Sequence, residues 1–222
     1  MKKLLLIVST IFSLGLLIAS WRHLIPLGLT EVFGFVSGGY CVWLTVEENV
    51  WNWPVGIVNS IFFLSLFLQT RLFADAGLQV VYIILGLLGW YWWLRGGENQ
   101  TPLPVRRIRA SEVAMLGVLV VVSTVGMTYF LTSVHDAAPF WDALTTVLSL
   151  TAQYLLTKKV WENWPVWIVA DVIYIWLYSS KHLYLTSVLY ALFLILCLQG
   201  VRAWRRSLQQ NPLQKNGTTY VG

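Results

Sequence analysis

Charge is scarce in this chain of 222 residues: Asp, Glu, Lys and Arg make up 11% of it, and hydrophobic residues make up 57%. A soluble domain of this length could not hide so much apolar surface from water. Cysteine is also rare, and Cys41 and Cys197 both fall inside apolar runs. We interpret them as small buried hydrophobic residues rather than as disulfide partners or metal ligands.

The sequence also lacks a catalytic constellation. His23, His135 and His182 stand singly, without metal-ligand spacing, and no phosphate-binding loop or ATPase motif is present. Asp171 has no acidic or basic neighbour with which to form a proton relay. We therefore predict that the protein is not an enzyme and uses no cofactor or metal. If the protein is not a transporter, the alternatives are a membrane enzyme and a structural or receptor-like membrane protein.

Long apolar runs are what the chain has instead. Runs of roughly 17–25 residues can cross a bilayer as helices. The candidate segments are 4–20, 27–46, 54–69, 76–94, 113–132, 143–156, 164–178 and 183–201, of which the sixth and seventh are short. These runs predict an all-α integral membrane protein. Residues 1–20 resemble a secretory signal peptide, but we interpret them as an extra N-terminal membrane helix.

Basic residues are distributed unevenly across these segments. All of the 15 Lys and Arg residues except Arg22, Arg71 and Lys181 fall on one side of the predicted membrane. Because basic loops collect in the cytoplasm, we expect both termini and the central loop to be cytoplasmic. The net charge of +5 is thus a topology signal, and no nucleic-acid partner is predicted.

One short sequence motif occurs twice. Trp51-Asn52-Trp53-Pro54-Val55 and Glu162-Asn163-Trp164-Pro165-Val166 share Asn-Trp-Pro-Val at an offset of 111 positions, and each opens an apolar segment. The next helix of each copy is aligned through Tyr82 and Tyr190, at an offset of 108. Since proline is ordinary in the first turn of a helix, a chance repeat is the alternative to a duplicated unit.

The repeat predicts a domain organisation. Residues 27–95 and 142–206 form two three-helix units, 96–132 hold a cytoplasmic loop and a linker helix, and 207–222 form a cytoplasmic tail. A single linker helix makes both units enter the membrane from the same side, so they are parallel repeats. We expect two parallel three-helix bundles joined by one helix, a 3+1+3 arrangement, with the substrate held between them.

One predicted helix carries an aromatic and acidic stripe. Trp164, Trp167, Asp171 and Tyr174 fall on one helical face. A carboxylate this deep in a bilayer normally faces a cavity or a partner. We therefore predict a substrate path along this face, the alternatives being an interfacial tryptophan belt and a helix–helix contact.

Other segments supply further candidates for the lining of that path. They are polar or aromatic residues within or beside apolar runs: Trp53, Asn59, Gln69, Gln79, Tyr82 and Gln153. In contrast, we interpret Trp90, Trp92 and Trp93, at the cytoplasmic rim, as interfacial anchors.

From Glu31 onward the chain resembles the PnuC family of bacterial nicotinamide riboside transporters. In the first half the resemblance is carried by Asn59, Gln69, Gln79, Gly89-Trp90-Tyr91, Trp93 and Arg95. In the second half it is carried by Phe140-Trp141-Asp142, Lys159, Glu162-Asn163-Trp164, Trp167, Gly200 and Trp204. The family often has Asn where Asp171 stands.

The resemblance implies facilitated uptake of nicotinamide riboside across the bacterial inner membrane and a fold similar to the SWEET sugar transporters. It also implies a homotrimer, and a cytoplasmic riboside kinase that traps the cargo. A carrier of thiamine, riboflavin or a sugar is the alternative. Nicotinamide riboside carries a flat pyridinium cation, which aromatic faces attract by about 0.5–2 kcal/mol per contact. We therefore expect Trp164 and Trp167 to frame the pyridinium, with Asp171 or Asn59, together with Gln79, binding polar atoms.

Overall fold

The computed structural model describes residues 13–22, 24, 28–71, 73–136, 138–180, 182 and 184–210. Helices account for nearly all of this part of the chain, which contains no β-strand. They are α1 (Leu29–Val46), α2 (Asn52–Gln69), α3 (Phe73–Arg95), α4 (Ala110–Ser133), α5 (Pro139–Thr157), α6 (Asn163–Ser180) and α7 (Tyr184–Gln210). Residues 13–21 are also helical. The rest of the predicted N-terminal helix, and residues 211–222 of the predicted tail, lie outside the described residues.

Tight turns connect several of these helices. A non-glycine residue with positive φ follows shortly after the end of α1, α2, α4, α5 and α6; these residues are Glu48, Arg71, His135, Lys159 and His182. The left-handed conformation is a common way to end a helix, because the backbone N–H groups then turn back onto the last carbonyls. At the other helix ends, Pro54, Pro139 and Pro165 lie in first turns, where proline is pre-shaped for the helix.

Six of the helices form a closed ring. In sequence order, α1 packs on α2, α2 on α3, α5 on α6, and α6 on α7; the ring closes because α3 also packs on α5 and α1 on α7. Helix α4 stands outside this ring and, among the described elements, packs only on α5. Its outward side chains are strongly exposed, with Val118 at 65% and Val121 and Val122 at 63% each. An exposed surface this apolar suits lipid rather than water.

Four described stretches are long and apolar enough to cross a membrane: Asn52–Gln69, Asp75–Arg95, Ala110–Ser133 and Thr186–Gln210. The described part of α1 adds a shorter apolar helix, Val32–Val46. Helices α5 and α6, which correspond to the two short predicted segments, contain more polar side chains, including Ser149, Gln153 and Asp171. These polar residues face the interior of the ring.

Candidate substrate cavity

The helix ring surrounds a cavity of about 310 Å³. Every ring helix contributes to its wall: Cys41 from α1, Asn59 from α2, Gln79 from α3, Ser149 from α5, Trp167 from α6 and Tyr190 from α7 are examples. Apolar and aromatic side chains dominate the lining, and a few amides, hydroxyls and one carboxylate interrupt it. This combination is typical of sites for small organic molecules, in which the polar groups fix the orientation of the ligand.

The structure brings together nearly all of the predicted site residues. The following line the cavity: Trp53, Asn59, Gln79, Tyr82, Gln153, Trp164, Trp167, Asp171 and Tyr174. Gln69 does not, because it lies at the exposed end of α2, beyond the cavity. The helical face that was predicted from Trp164 to Tyr174 therefore does point into the ring.

Several lining residues were not predicted. They are mainly small or polar groups deep in the wall: Thr45, Asn52, Ser149, Asn163, Tyr190 and Phe193, together with the two cysteines. Asn52 and Asn163 lie in the repeated Asn-Trp-Pro-Val motif, so the repeat in the sequence did mark these two positions. Thr45 and Ser149 had no such signal, since single Ser and Thr residues are common in membrane helices.

Asp171 supplies the cavity with its one acidic side chain among the described lining residues. The residue is 3% exposed, and the Cys197 thiol donates to its Oδ2 at 3.5 Å. Among the described lining residues there is no Lys, Arg or His. The cavity therefore offers a carboxylate and aromatic faces but no basic side chain.

Three tyrosine rings stack at the end of α6 that lies far from Trp164. The Tyr174 and Tyr190 centroids are 4.4 Å apart, and those of Tyr178 and Tyr190 are 5.4 Å apart. Asn59, which also lines the cavity, donates from its Nδ2 to the Ser37 Oγ at 2.6 Å. Tyr174 and Tyr190 are the members of the stack that line the cavity.

Four tryptophans close the opposite end. Successive ring centroids along the series Trp53, Trp93, Trp204 and Trp164 are 5.4, 5.8 and 5.4 Å apart. Trp93 is 4% exposed and Trp204 is fully buried. The interpretation of Trp93 as an interfacial anchor is therefore wrong, because its ring packs inside the protein rather than at a membrane surface.

Two hydrogen bonds of this tryptophan cluster are related by the 111-residue offset of the repeat. The Trp93 Nε1 donates to the Leu156 carbonyl, and the Trp204 Nε1 donates to the Thr45 carbonyl, both at 3.0 Å. Thr45 and Leu156 are themselves 111 positions apart, as are Trp93 and Trp204. Helix α3 is thus bonded to α5, and helix α7 to α1, by equivalent tryptophan hydrogen bonds.

Two glycines show the same offset. A Cβ atom on Gly89 would overlap the ring of Trp53, and a Cβ atom on Gly200 would overlap the ring of Trp164. The offset of 111 therefore continues through the third helix of each unit. The alignment of Tyr82 with Tyr190, at 108, is wrong for this helix.

An ion pair joins the two turns beneath the tryptophans. The Lys159 Nζ lies 2.9 Å from the Glu48 Oε2, and the side chains are 10% and 24% exposed. Lys159 also lies over the Trp93 ring, 4.7 Å from its centroid. In the same turn, the Lys158 Nζ lies 3.3 Å over the Trp92 ring, and burial, followed by the charge of Arg106, lowers the pKa of Lys158.

The central loop is tied across this closed end. The Arg106 N–H donates to the Lys159 carbonyl at 3.1 Å, and the Trp161 N–H donates back to the Arg106 carbonyl at 2.9 Å. Glu162 accepts the Ile108 N–H at 2.9 Å and pairs with Arg107 at 3.0 Å. The loop therefore fixes the turn between α5 and α6.

Membrane-length helices in a ring around a mixed aromatic and polar cavity define the class: a multi-pass, all-helical membrane transport protein. A family model described as nicotinamide mononucleotide transporter matches residues 28–206, and the chain belongs to that family. The predicted resemblance to PnuC proteins is confirmed by this match and by the relatives.

Two relatives illustrate the range of the family. The chain is 29% identical over 206 residues to the nicotinamide riboside transporter PnuC of Escherichia coli strain K12, which covers 81% of this chain and 86% of the relative. It is 25% identical over 181 residues to the riboflavin/roseoflavin transporter RibM of Streptomyces davaonensis. That match covers 79% of this chain and 84% of the relative.

A solved structure agrees with the fold. The crystal structure of the vitamin B3 transporter PnuC superimposes with a TM-score of 0.68 at 19% identity, over 91% of this chain and 92% of that chain. At this level of identity the match establishes the shared fold.

Proposed function

We propose that this protein takes up nicotinamide riboside by facilitated diffusion. The observation that carries the proposal is the composition of the cavity wall: aromatic faces, amides and one carboxylate, without a basic side chain among the described lining residues. A pyridinium cation is attracted both by aromatic faces and by a carboxylate. The names of several relatives, including the Escherichia coli protein, support this cargo.

The cavity favours the riboside over the mononucleotide in the family's name. A phosphate group is normally bound by Lys or Arg, or by backbone N–H groups at a helix N-terminus. The described lining offers no basic side chain, and a phosphate would face the Asp171 carboxylate. We therefore expect the mononucleotide to bind poorly.

Specific side chains have proposed roles. Trp167 faces the pyridinium and Asp171 balances its charge, while Trp164, nearer the closed end on the same helix, bounds the site on that side. Asn59, Gln79 and Gln153 bind polar atoms of the cargo. Trp53, Tyr82 and Tyr174 complete the aromatic wall.

The proposed architecture is two parallel three-helix units, 27–95 and 142–206, joined by α4 in a 3+1+3 arrangement. The contacts that recur at an offset of 111 support it, because they place Trp93 against Trp204 and Glu48 against Lys159. Movement of one unit against the other around the cavity would open its two ends alternately. The tryptophan end is the closed one in this structure.

The setting of the protein is proposed from the charge pattern and the family. The protein lies in the bacterial inner membrane with both termini in the cytoplasm, so the closed end is the cytoplasmic end. It forms a homotrimer. A cytoplasmic kinase phosphorylates the cargo, and the added charge prevents its return.

Flux into proteoliposomes tests the proposal. Labelled nicotinamide riboside should enter without an ion gradient and without ATP. Unlabelled riboside should compete, whereas nicotinamide mononucleotide, thiamine and glucose should not. Competition by riboflavin alone would favour the activity named for the Streptomyces relative, and a requirement for an ion gradient would exclude uniport.

A further inference from the structure

The closed end of the cavity contains polar atoms without partners. The side-chain oxygens of Asn52 and Asn163 and the indole nitrogens of Trp53 and Trp164 are buried and make no hydrogen bond. All four residues are at most 3% exposed, and all four line the cavity. The set consists of the same Asn-Trp pair in both copies of the repeat.

The amide groups of these asparagines are held in place. The Asn52 Nδ2 donates to the Thr45 Oγ1 at 3.1 Å, and the Asn163 Nδ2 donates to the Val160 carbonyl at 2.6 Å. These bonds fix the orientation of each side chain and leave its oxygen without a hydrogen-bond partner. An unpaired buried acceptor destabilises a fold and is uncommon, so two at equivalent positions need an explanation.

We propose that Asn52 and Asn163, with the indole N–H groups of Trp53 and Trp164, form an inner subsite for the hydroxyl groups of a sugar. A hydroxyl both donates and accepts, so it can pair with an amide oxygen and an indole N–H at once. This subsite rests on the proposed function, since it assigns the ribose of nicotinamide riboside to the closed end.

The positive charge on one end of nicotinamide riboside determines which end lies at the subsite. Asp171 is eight residues beyond Asn163 on α6, roughly 12 Å along the helix axis. The pyridinium is drawn to that carboxylate and to Trp167, because the asparagine end has no charged side chain among the described lining residues. The uncharged ribose then points towards the subsite.

Two ligands separate recognition of the sugar from recognition of the ring. Nicotinamide riboside carries the ribose, and 1-methylnicotinamide carries the same pyridinium and carboxamide without it. In the double variant Asn52→Leu, Asn163→Leu we expect binding of the riboside to weaken about tenfold or more, and binding of 1-methylnicotinamide to change less than about twofold. The purified variants are measured by calorimetry in detergent.

Controls distinguish this result from a general loss. Trp167→Ala should weaken binding of both ligands, and Ser65→Ala, on the exposed face of α2, should weaken neither. The melting temperature of the empty double variant shows whether the fold is kept, because the substitution removes two unpaired oxygens and also the Nδ2 bonds to Thr45 and Val160. Each single Leu variant leaves one copy intact and gives the same contrast if the double variant does not fold.

Equal weakening for both ligands, or no weakening for the riboside, overturns the subsite and leaves the proposed function standing. Failure of the wild-type protein to bind nicotinamide riboside overturns the proposed function and the subsite together.

Discussion

Gly89 and Gly200 illustrate how single residues set the packing of the closed end. Each faces a buried tryptophan ring with no room for a Cβ atom. We expect Gly200→Ala to push the Trp164 ring away and to destabilise the protein by about 1–3 kcal/mol, the usual cost of overpacking. Thermal unfolding in detergent measures the change.

Gly117 in α4 is the matched control, because nothing lies within 4 Å of the position of an added Cβ. Since alanine is the better helix former, Gly117→Ala should leave stability unchanged or raise it by up to about 1 kcal/mol. Similar melting temperatures for the two variants would contradict the close packing at Gly200.

Trp167 is the residue on which the proposed recognition of the pyridinium depends most. Trp167→Ala should weaken binding of nicotinamide riboside about two- to thirtyfold, the range given by loss of one cation–π contact. Calorimetry on the purified protein measures this change. Trp176→Ala, on the same helix but 53% exposed, is the control and should bind normally. Unchanged affinity in the Trp167 variant would exclude that residue from the site.

The sequence predicts some residue positions better than others. Trp164 and Asp171 could be placed on one face because helical periodicity is a local property. Trp93 could not be placed, because the sequence around a tryptophan near a helix end does not show whether the ring faces lipid or the protein interior. Here the ring nitrogen donates to the Leu156 carbonyl of a distant segment. Gln69 shows the converse: its type suits a binding site, but it lies beyond the cavity.

At the scale of elements, the turns after α1 and α5 are joined by Glu48 and Lys159. Removing one partner leaves the other charge partly buried and unpaired, which is more costly than losing the pair itself. We therefore expect Glu48→Ala and Lys159→Ala each to lower stability and uptake. The exchanged double variant Glu48→Lys, Lys159→Glu should recover part of the loss.

A double-mutant cycle measures this coupling. Uptake and thermal unfolding are compared for the wild type, both single exchanges and the double exchange. Additive effects in both measurements would show that the two turns are not coupled through this pair.

Helix positions followed from the apolar runs, but helix ends did not. The run 113–132 predicts α4 closely, since lipid-facing residues are apolar on every side. The run 183–201 stops short of the end of α7 at Gln210. Beyond residue 201 only one face is apolar: Trp204 and Leu208 are buried, whereas Arg205 and Arg206 are exposed. Average hydropathy does not register such a helix.

At the scale of the whole molecule, the proposed orientation is accessible to cysteine labelling. In a background with Cys41→Ala and Cys197→Ala, an impermeant maleimide on intact cells should label Val134→Cys. It should label Glu98→Cys only after permeabilisation. Val134 is 55% exposed at the end of α4, and Glu98 lies in the exposed central loop.

The transport assay on each labelling variant serves as the control that the background folds. The reverse labelling pattern would place the tryptophan end outside the cell and invert the proposed direction of closure.

The cavity was the least predictable feature at this scale. The repeat indicated two units, and the aromatic stripe indicated a path. However, the ring closes through contacts of α1 with α7 and of α3 with α5, which join distant parts of the sequence. No local pattern encodes such contacts, so the repeated motif marks Asn52 and Asn163 but does not show that they line one cavity.

The Glu48–Lys159 pair has a consequence for how the two halves of the chain find each other. Trp93 and Trp204 are the same residue type, so by themselves they would let a first half dock on another first half. Such like-with-like docking would set glutamate against glutamate, or lysine against lysine, in a half-buried turn. Opposite signs at these matched positions make the pairing of unlike halves the favoured one, and so discourage identical halves of neighbouring copies from docking in a crowded membrane.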